Sequence, residues 1–180
     1  MLWVVPWARP TPQQEREHYA THDNKVEDTG YRRFLDRLAA PLTARVSAGA
    51  RGLDYGCGPA PVLAMMLRER GFAMRVFDPF FAPAQTVLAE RYDFITCTET
   101  AEHFHAPGRE LQRLHALLRP GGWLAIMTQL VDARLSPSWW YLRDPTHVSF
   151  YSLATMHWVA QRFAWALSHP APNVVLFRRA

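Results

Sequence analysis

Arg51-Gly-Leu-Asp-Tyr-Gly-Cys-Gly-Pro-Ala60 decides the fold. Arg51 to Tyr55 reads as a short apolar strand running straight into a glycine-rich turn. Pro61 to Arg70 follows as a helix, with Val62, Leu63, Met66 and Leu67 on its buried side. Gly71 stands where a C-cap belongs, and Met74-Arg-Val-Phe-Asp78 reads as a second strand ending on an acid. Strand, turn, helix and strand make a βαβ unit, which predicts a parallel sheet with right-handed crossovers.

A glycine-rich turn between strand and helix lets a ligand approach the backbone and presents amide N–H groups near a helix N-terminus. Dinucleotide sites use Gly-x-Gly-x-x-Gly here, with pyrophosphate on the helix end. Gly56 and Gly58 are in place, but the third glycine of that spacing falls at Pro61, which disfavours a nicotinamide-dependent oxidoreductase. In the spacing Gly-x-Gly-x-Gly the third position is Ala60, a small residue. Asp54, at the end of the first strand, suits a ligand carrying an ammonium group. Asp78, at the end of the second, is placed to accept hydrogen bonds from two ribose hydroxyls.

Only Pro79 to Arg91 separates this strand from the next, Tyr92 to Cys97. A crossover alone needs about a dozen residues, so an edge strand between them is expected to be short or missing. Glu110 to Leu118 reads as a helix stopped by Pro120 and turned by Gly121-Gly122. Trp123 to Leu130 reads as a strand buried on both faces. Ser152 to Arg162 is the last expected helix, and Ala164–Ser168 with Asn173–Arg178 a closing antiparallel hairpin. Upstream, Gln13 to Ala20 and Thr29 to Leu42 carry helical spacing. In the second, Tyr31, Phe34, Leu35, Leu38 and Leu42 form one stripe, with Pro41 near the expected end. Residues 1–45 are therefore expected to form an arm and lid helices, and residues 46–180 the ligand-binding domain.

At 180 residues and 49% apolar composition the chain can build one sizeable core. No apolar run approaches the roughly 18–20 residues of a membrane span. Met1 to Pro12 lacks a basic segment and a cleavage site, so no secretory signal is expected. Two cysteines, Cys57 and Cys97, are too few for a disulfide framework, and free thiols suit the cytoplasm. The net charge is +4, yet every basic residue except Lys25 is an arginine, spread from Arg9 to Arg179. Nucleic-acid binders concentrate charge on one face or segment, so long nucleic acid is not the expected partner.

The ordered segments resemble the class I S-adenosylmethionine (SAM)-dependent methyltransferase family. LDYGCGPAP is similar to its first motif and VFDP to its ribose-binding acid. YDFITCTETAEHF resembles its fourth-strand motif, and LLRPGGWLAIMT the helix, turn and strand that follow. The match covers roughly residues 50–130, and FAWAL with NVVLFRR agrees with the family's reversed hairpin. The resemblance implies a Rossmann-like α/β sheet of order 3-2-1-4-5-7-6, with strand 3 short or missing here and helices on both faces. It implies SAM held by Asp54, Tyr55, Gly56, Cys57, Gly58 and Asp78, with adenine against Pro79 and Phe80 and the methionine part flanked by Cys97 and Thr98. Family members often place an N-terminal lid over SAM, which points to Tyr19 and His22. The acid that often follows strand 3 and sits near adenine has no clear counterpart. The arm Leu2-Trp-Val-Val-Pro6 is similar to the end of a small zinc ribbon that precedes the domain in some bacterial relatives, although no cysteine ligands stand beside it here.

Thr98-Glu99-Thr-Ala-Glu102-His103 follows the fourth strand, on the sheet edge where open α/β folds bind ligands. On a helical turn, positions i, i+3 and i+4 share a face, so Glu99, Glu102 and His103 are expected to converge. Such a set tolerates Mg, Mn, Fe or Zn, and His147 in Arg143-Asp-Pro-Thr-His147 is the candidate fourth ligand. The pattern resembles that of ubiquinone-pathway O-methyltransferases and of small-RNA 3′-terminal 2′-O-methyltransferases, which hold a divalent metal with such residues. Acids in a first helical turn also complement the helix dipole with no ligand, and His147 also suits a general base or a hydrogen-bonded lid histidine. Glu99, His103 and His147 are the candidate catalytic groups.

Trp139-Trp140-Tyr141 suits an aromatic wall over a substrate, or a loop packed onto the sheet. His105, His115, His157 and His169 have no partner pattern and read as surface or satisfied histidines. The expected activity is O-methylation of a small molecule. The alternatives are 2′-O-methylation of an RNA end and a non-catalytic SAM-binding partner protein, and an oligomer could supply further substrate recognition.

Overall fold

The computed structural model describes residues 1–21, 25–132, 136 and 138–180. Its central sheet comprises β2 (Arg51–Tyr55), β3 (Ala73–Phe77), β4 (Tyr92–Thr98), β5 (Leu118–Met127), β7 (Trp165–Ala171) and β8 (Val174–Arg179). They lie in the order β3-β2-β4-β5-β8-β7. The first four are parallel, and β8 enters antiparallel between β5 and β7. This is the expected order with its outermost member gone. The short crossover spends its residues on an Asp78–Ala82 bridge and a 3-10 turn at Gln85–Ala89, leaving no length for a strand and helix.

One face carries α2 (Thr29–Thr43) and α3 (Val62–Glu69). Leu35, Leu38, Leu42, Leu63 and Leu67 pack there on Met74, Phe94, Ala125, Met127 and Leu176. Asp28 caps α2 by accepting from the amides of Gly30 (2.8 Å) and Tyr31 (3.0 Å). Pro41 lies inside its last turn, and the helix ends at Thr43, one residue past the expected Leu42. The other face carries α4 (Pro107–Leu117) and α5 (Leu153–Phe163), whose Leu111, Leu114, Met156 and Val159 cover Tyr55, Phe77, Ile95, Cys97 and Ile126. Burying each such leucine or isoleucine contributes about 1.5–3 kcal/mol, so the two covered faces supply most of the drive to fold.

The Gly121-Gly122 segment differs from expectation. It is an irregular part of β5 rather than a turn outside it, and the register shifts between Tyr92 and Phe94 on β4. A Cβ on Gly122 would stand 2.9 Å from the carbonyl oxygens of both Arg119 and Asp93, so only glycine lets the strands meet there.

The N-terminal arm is fastened across the sheet's ligand edge. β1 (Leu2–Trp3) pairs antiparallel with β6 (Ser149–Phe150). Arg9 then ties the arm down, donating from Nε to the Val4 carbonyl and from Nη1 to the His105 carbonyl, both at 2.8 Å. A Thr11 cap starts α1 (Pro12–Tyr19), which crosses the cleft described next. Among the described residues no helix is long and apolar enough to cross a membrane.

Candidate active site

A cavity of about 850 Å³ opens at the C-terminal ends of β2, β3 and β4, under α1. Its floor is the glycine loop. Gly56 and Gly58 take φ of 79° and 63°, a region L-residues disfavour. A Cβ on Gly56 would fall 2.1 Å from Thr100 Cγ2, whereas one on Gly58 would meet nothing within 4 Å. Gly56 is thus needed for close packing as well as for φ, and Gly58 for its backbone conformation alone. Asp78 fixes the loop: its Oδ2 accepts from the Gly58 amide at 3.0 Å, and its Oδ1 from the amides of Phe80 (2.9 Å) and Phe81 (3.1 Å). Each carboxylate oxygen offers two lone pairs, so Oδ1 is filled and Oδ2 keeps one acceptor site for a ribose hydroxyl.

Asp54 is buried beneath the loop and accepts a 2.7 Å hydrogen bond from Thr96 Oγ1. Burial pushes its pKa up to about 6, opposed first by the Thr96 hydroxyl. The folded chain therefore binds this proton more tightly than the unfolded chain, and the charged form destabilises the fold at neutral pH. Asp54→Asn is expected to raise the stability of the ligand-free protein at pH 7 by about 1–3 kcal/mol. It should also remove the stabilisation that wild type gains as pH falls from about 6 to about 4, with thermal melts across that range as the check.

Gly56, Cys57, Gly58, Pro79, Phe80, Thr98 and Tyr19 all line the cavity. The Cys57 thiol is pushed up to about 12 by burial and stays protonated. Tyr55 lines it too, but its ring stacks on Phe77 (5.2 Å) on the far face, and its hydroxyl donates to Glu110. Cys97 is a correction. Strand alternation puts its fully buried side chain into the core with Ile95, while Thr96 and Thr98 face the other way. Its thiol does not reach the cleft. His22 lies outside the described residues.

Glu102, His103 and His147 come together, with one ligating atom from each within 4.8 Å of the others. Glu99 is left out of this group, a second correction. It takes φ 47°, in the left-handed region, and only Ala101–His103 is helical. The helical turn that would align Glu99 with Glu102 and His103 is not formed, yet Glu99 lines the cleft near enough to Glu102 for the two carboxylates to repel.

Both histidines are oriented in the same way. His103 Nδ1 pairs with the Thr146 carbonyl at 2.9 Å, and His147 Nδ1 with the Tyr141 carbonyl at 2.7 Å. A carbonyl accepts only, so each Nδ1 carries the proton and each neutral ring keeps Nε2 as its acceptor, the arrangement typical of metal-ligating histidine. Burial lowers the His147 pKa and holds the ring neutral. Glu102 is fully buried, and neither carboxylate oxygen has a hydrogen-bond partner. Burial raises its pKa; the Tyr141 and Thr128 hydroxyls, which pair with each other and stand near the carboxylate outside hydrogen-bond geometry, and His147 oppose the rise. An orphaned buried carboxylate beside two Nε2 acceptors is a donor set that fits a divalent cation.

Several residues here carry no sequence signal. Glu15 is buried within an otherwise polar α1 and accepts from His105 Nε2 at 2.8 Å. Tyr19 sets its ring edge-on to His103 (5.1 Å) and tilted on Phe80 (5.9 Å). Asp144 stands 3.3 Å from His18 Nε2 and 3.7 Å from His147 Nε2, so it lies between α1 and the histidine pair. The Thr146 amide and hydroxyl overcome the effect of burial and hold Asp144 down at about 2. Of the aromatic triplet, Tyr141 is buried against His147, while Trp140 is exposed at the cleft wall.

The switched strand order, the glycine loop and the strand-end aspartate define the Rossmann-like fold of class I methyltransferases. The chain belongs to the methyltransferase domain family, whose model matches residues 29–169. It is 31% identical over 85 residues to the ubiquinone biosynthesis O-methyltransferase of Aeromonas salmonicida, covering 47% of this chain and 36% of that protein. It is 34% identical over 95 residues to the enzyme of the same name from Histophilus somni, covering 51% of this chain and 40% of the relative. The chain thus aligns with well under half the length of these curated relatives. Among solved structures, the 1,6-didemethyltoxoflavin-N1-methyltransferase of Burkholderia thailandensis, with bound S-adenosylhomocysteine, superposes with a TM-score of 0.66 at 19% identity. That match covers 98% of this chain and 93% of the other. Magnesium protoporphyrin IX methyltransferase from Synechocystis, with bound SAM, gives 0.61 at 15% identity, covering 94% and 92%. At such identities the likeness is one of fold.

Proposed function

We propose that this chain transfers the methyl group of SAM to an oxygen of a small molecule in the cytoplasm, with a divalent cation at Glu102, His103 and His147. The observation that carries the reading is one cavity holding two distinct ends: the loop pinned to Asp78, and the orphaned Glu102 with its histidine pair. Asp78 would hold the ribose, Gly56 to Gly58 would admit the methionine part, and Tyr19 would cover it. Glu99 faces the same cleft as an acid whose pKa burial raises, and serves the site electrostatically rather than as a ligand.

Methyl transfer is an in-line displacement in which positioning supplies much of the acceleration. When bound, a divalent cation lowers the pKa of an acceptor hydroxyl and fixes its place. The carbonyls of Thr146 and Tyr141 hold the two imidazoles with Nε2 as acceptor, and Glu102 balances the charge. The lid contacts of Glu15 and Tyr19 exclude water. Trp140 and Tyr141 suit an aromatic acceptor, and the match to two O-methyltransferases supports oxygen as the accepting atom.

The test is methyl transfer from labelled SAM to small aromatic acceptors bearing neighbouring hydroxyls, with Mg, Mn or Zn and with chelator. Release of S-adenosylhomocysteine, raised about tenfold or more by a divalent ion, is the expected result. Transfer indifferent to chelation would remove the cation and leave the histidines as general bases. No release with any acceptor would make the chain a binding protein, and salt-sensitive transfer to short RNA alone would replace the small-molecule acceptor.

A further inference from the structure

Resting on the cation reading of Glu102, His103 and His147, we infer that Arg9 and the arm strand β1 are positioning elements for that donor set. The three side chains come from two stretches of backbone, 102–105 and 146–150, and the spacing of those stretches decides whether one ion reaches all three. The stretches are stitched together along one edge. The Val148 amide, next to His147, donates to the Glu102 carbonyl at 2.8 Å, and Ser149 Oγ to the Phe104 carbonyl at 2.8 Å. The Tyr151 hydroxyl donates to the Ala101 carbonyl at 2.9 Å. The other edge belongs to β6, which is two residues long, and so short a strand held from one side only has little to keep it from fraying.

The arm closes that edge. Leu2 and Trp3 stand opposite Phe150 and Ser149, and the Val4 amide donates to the Val148 carbonyl at 2.8 Å. The backbone of Val148 is therefore bonded to the arm through its carbonyl and to the buried acid's own backbone through its amide. Arg9 completes a ring. Its Nε takes the Val4 carbonyl and its Nη1 the His105 carbonyl, both at 2.8 Å, which joins the arm back to the stretch that carries Glu102 and His103. A planar guanidinium holds two acceptors in one fixed geometry, as a flexible ammonium does not. His105 is gripped a second time from the arm side, its Nε2 standing 2.8 Å from Glu15 Oε1 on α1. None of these bonds touches the glycine loop or Asp78, so the arm acts on the donor set and not on the cofactor end of the cleft. Metal–ligand distances tolerate only about 0.2 Å of error, so loosening one stretch against the other lowers affinity without removing a donor.

The test is calorimetric titration of the full chain with Mn, and then Zn, beside a separate titration with S-adenosylhomocysteine. Arg9→Ala is expected to bind either ion about 10- to 100-fold more weakly than wild type. Its affinity for S-adenosylhomocysteine should stay within about twofold, because that site shares none of the lost contacts. Arg9→Lys keeps the charge but not the paired geometry, and should fall between. Val4→Pro deletes the amide that holds Val148 while leaving Arg9 in place. It should weaken ion binding in the same direction, and it supplies the answer should Arg9→Ala fail to fold. Wild-type ion affinity in the folded variants, or ion and S-adenosylhomocysteine affinities falling together, would overturn the assignment while leaving the cation reading standing. A wild type that binds S-adenosylhomocysteine but neither ion would overturn the cation reading and this inference with it.

Discussion

Replacing Glu102 with glutamine is expected to lower methyl-transfer turnover by about a hundred- to ten-thousand-fold while leaving S-adenosylhomocysteine affinity nearly unchanged. The side chain is wholly buried, neither oxygen is hydrogen bonded, and it shares its surroundings with Glu99. Such an arrangement is destabilising by itself. Burying a carboxylate without partners costs several kcal/mol unless the group takes up a proton or a cation compensates. Glutamine keeps the shape and removes the charge, so the same variant should be more stable than wild type by about 1–3 kcal/mol when no divalent ion is present. Activity and stability moving in opposite directions separate this account from one in which Glu102 is merely structural. Thermal melts with and without Mg or Mn, beside initial rates, read both: wild type should gain stability from the ion and Glu102→Gln should not.

The second large effect is expected at Asp78. Its two oxygens already hold the amides of Gly58, Phe80 and Phe81, so the carboxylate shapes the loop before any ligand arrives. Asp78→Ala removes those three loop bonds and the one charge-assisted acceptor that Oδ2 keeps for the ribose. With each such bond contributing about 1.5–3 kcal/mol, S-adenosylhomocysteine should bind at least about a hundredfold more weakly. Asp78→Asn keeps one acceptor and should fall between. The fold should survive both changes, because Asp78 stands at the sheet's ligand edge rather than between its packed faces.

The sheet was legible from local punctuation: the glycine turn and apolar helix after β2, the strand-end Asp78 after β3, and the Pro120-Gly-Gly break before the apolar run of β5. The missing edge strand was legible by length alone, since Pro79 to Arg91 cannot hold a strand and two helices. What failed was finer than an element. Cys97 sits one residue from Thr98, and one residue in a strand is the difference between core and cleft. Glu99 was placed by helical spacing, yet the turn takes a left-handed step at that residue, and glutamate carries no local signal for it. The lid contacts were hidden for another reason. In the polar run Gln13-Gln-Glu-Arg-Glu-His18 nothing marks Glu15 as the buried one; its partner, His105, is 90 residues away and becomes a neighbour only when the arm folds over. Asp144 is similar, since its place between His18 and His147 depends on two segments far apart in sequence.

The central claim is that the loop from Asp54 to Ala60 and Asp78 form a SAM site. Calorimetric titration of the purified chain with S-adenosylhomocysteine tests it most directly. The account predicts one site per chain, competition by SAM, no competition by a nicotinamide dinucleotide, and loss of the signal in Asp78→Ala. Absence of binding at millimolar ligand, or displacement by the dinucleotide in preference to SAM, would contradict it.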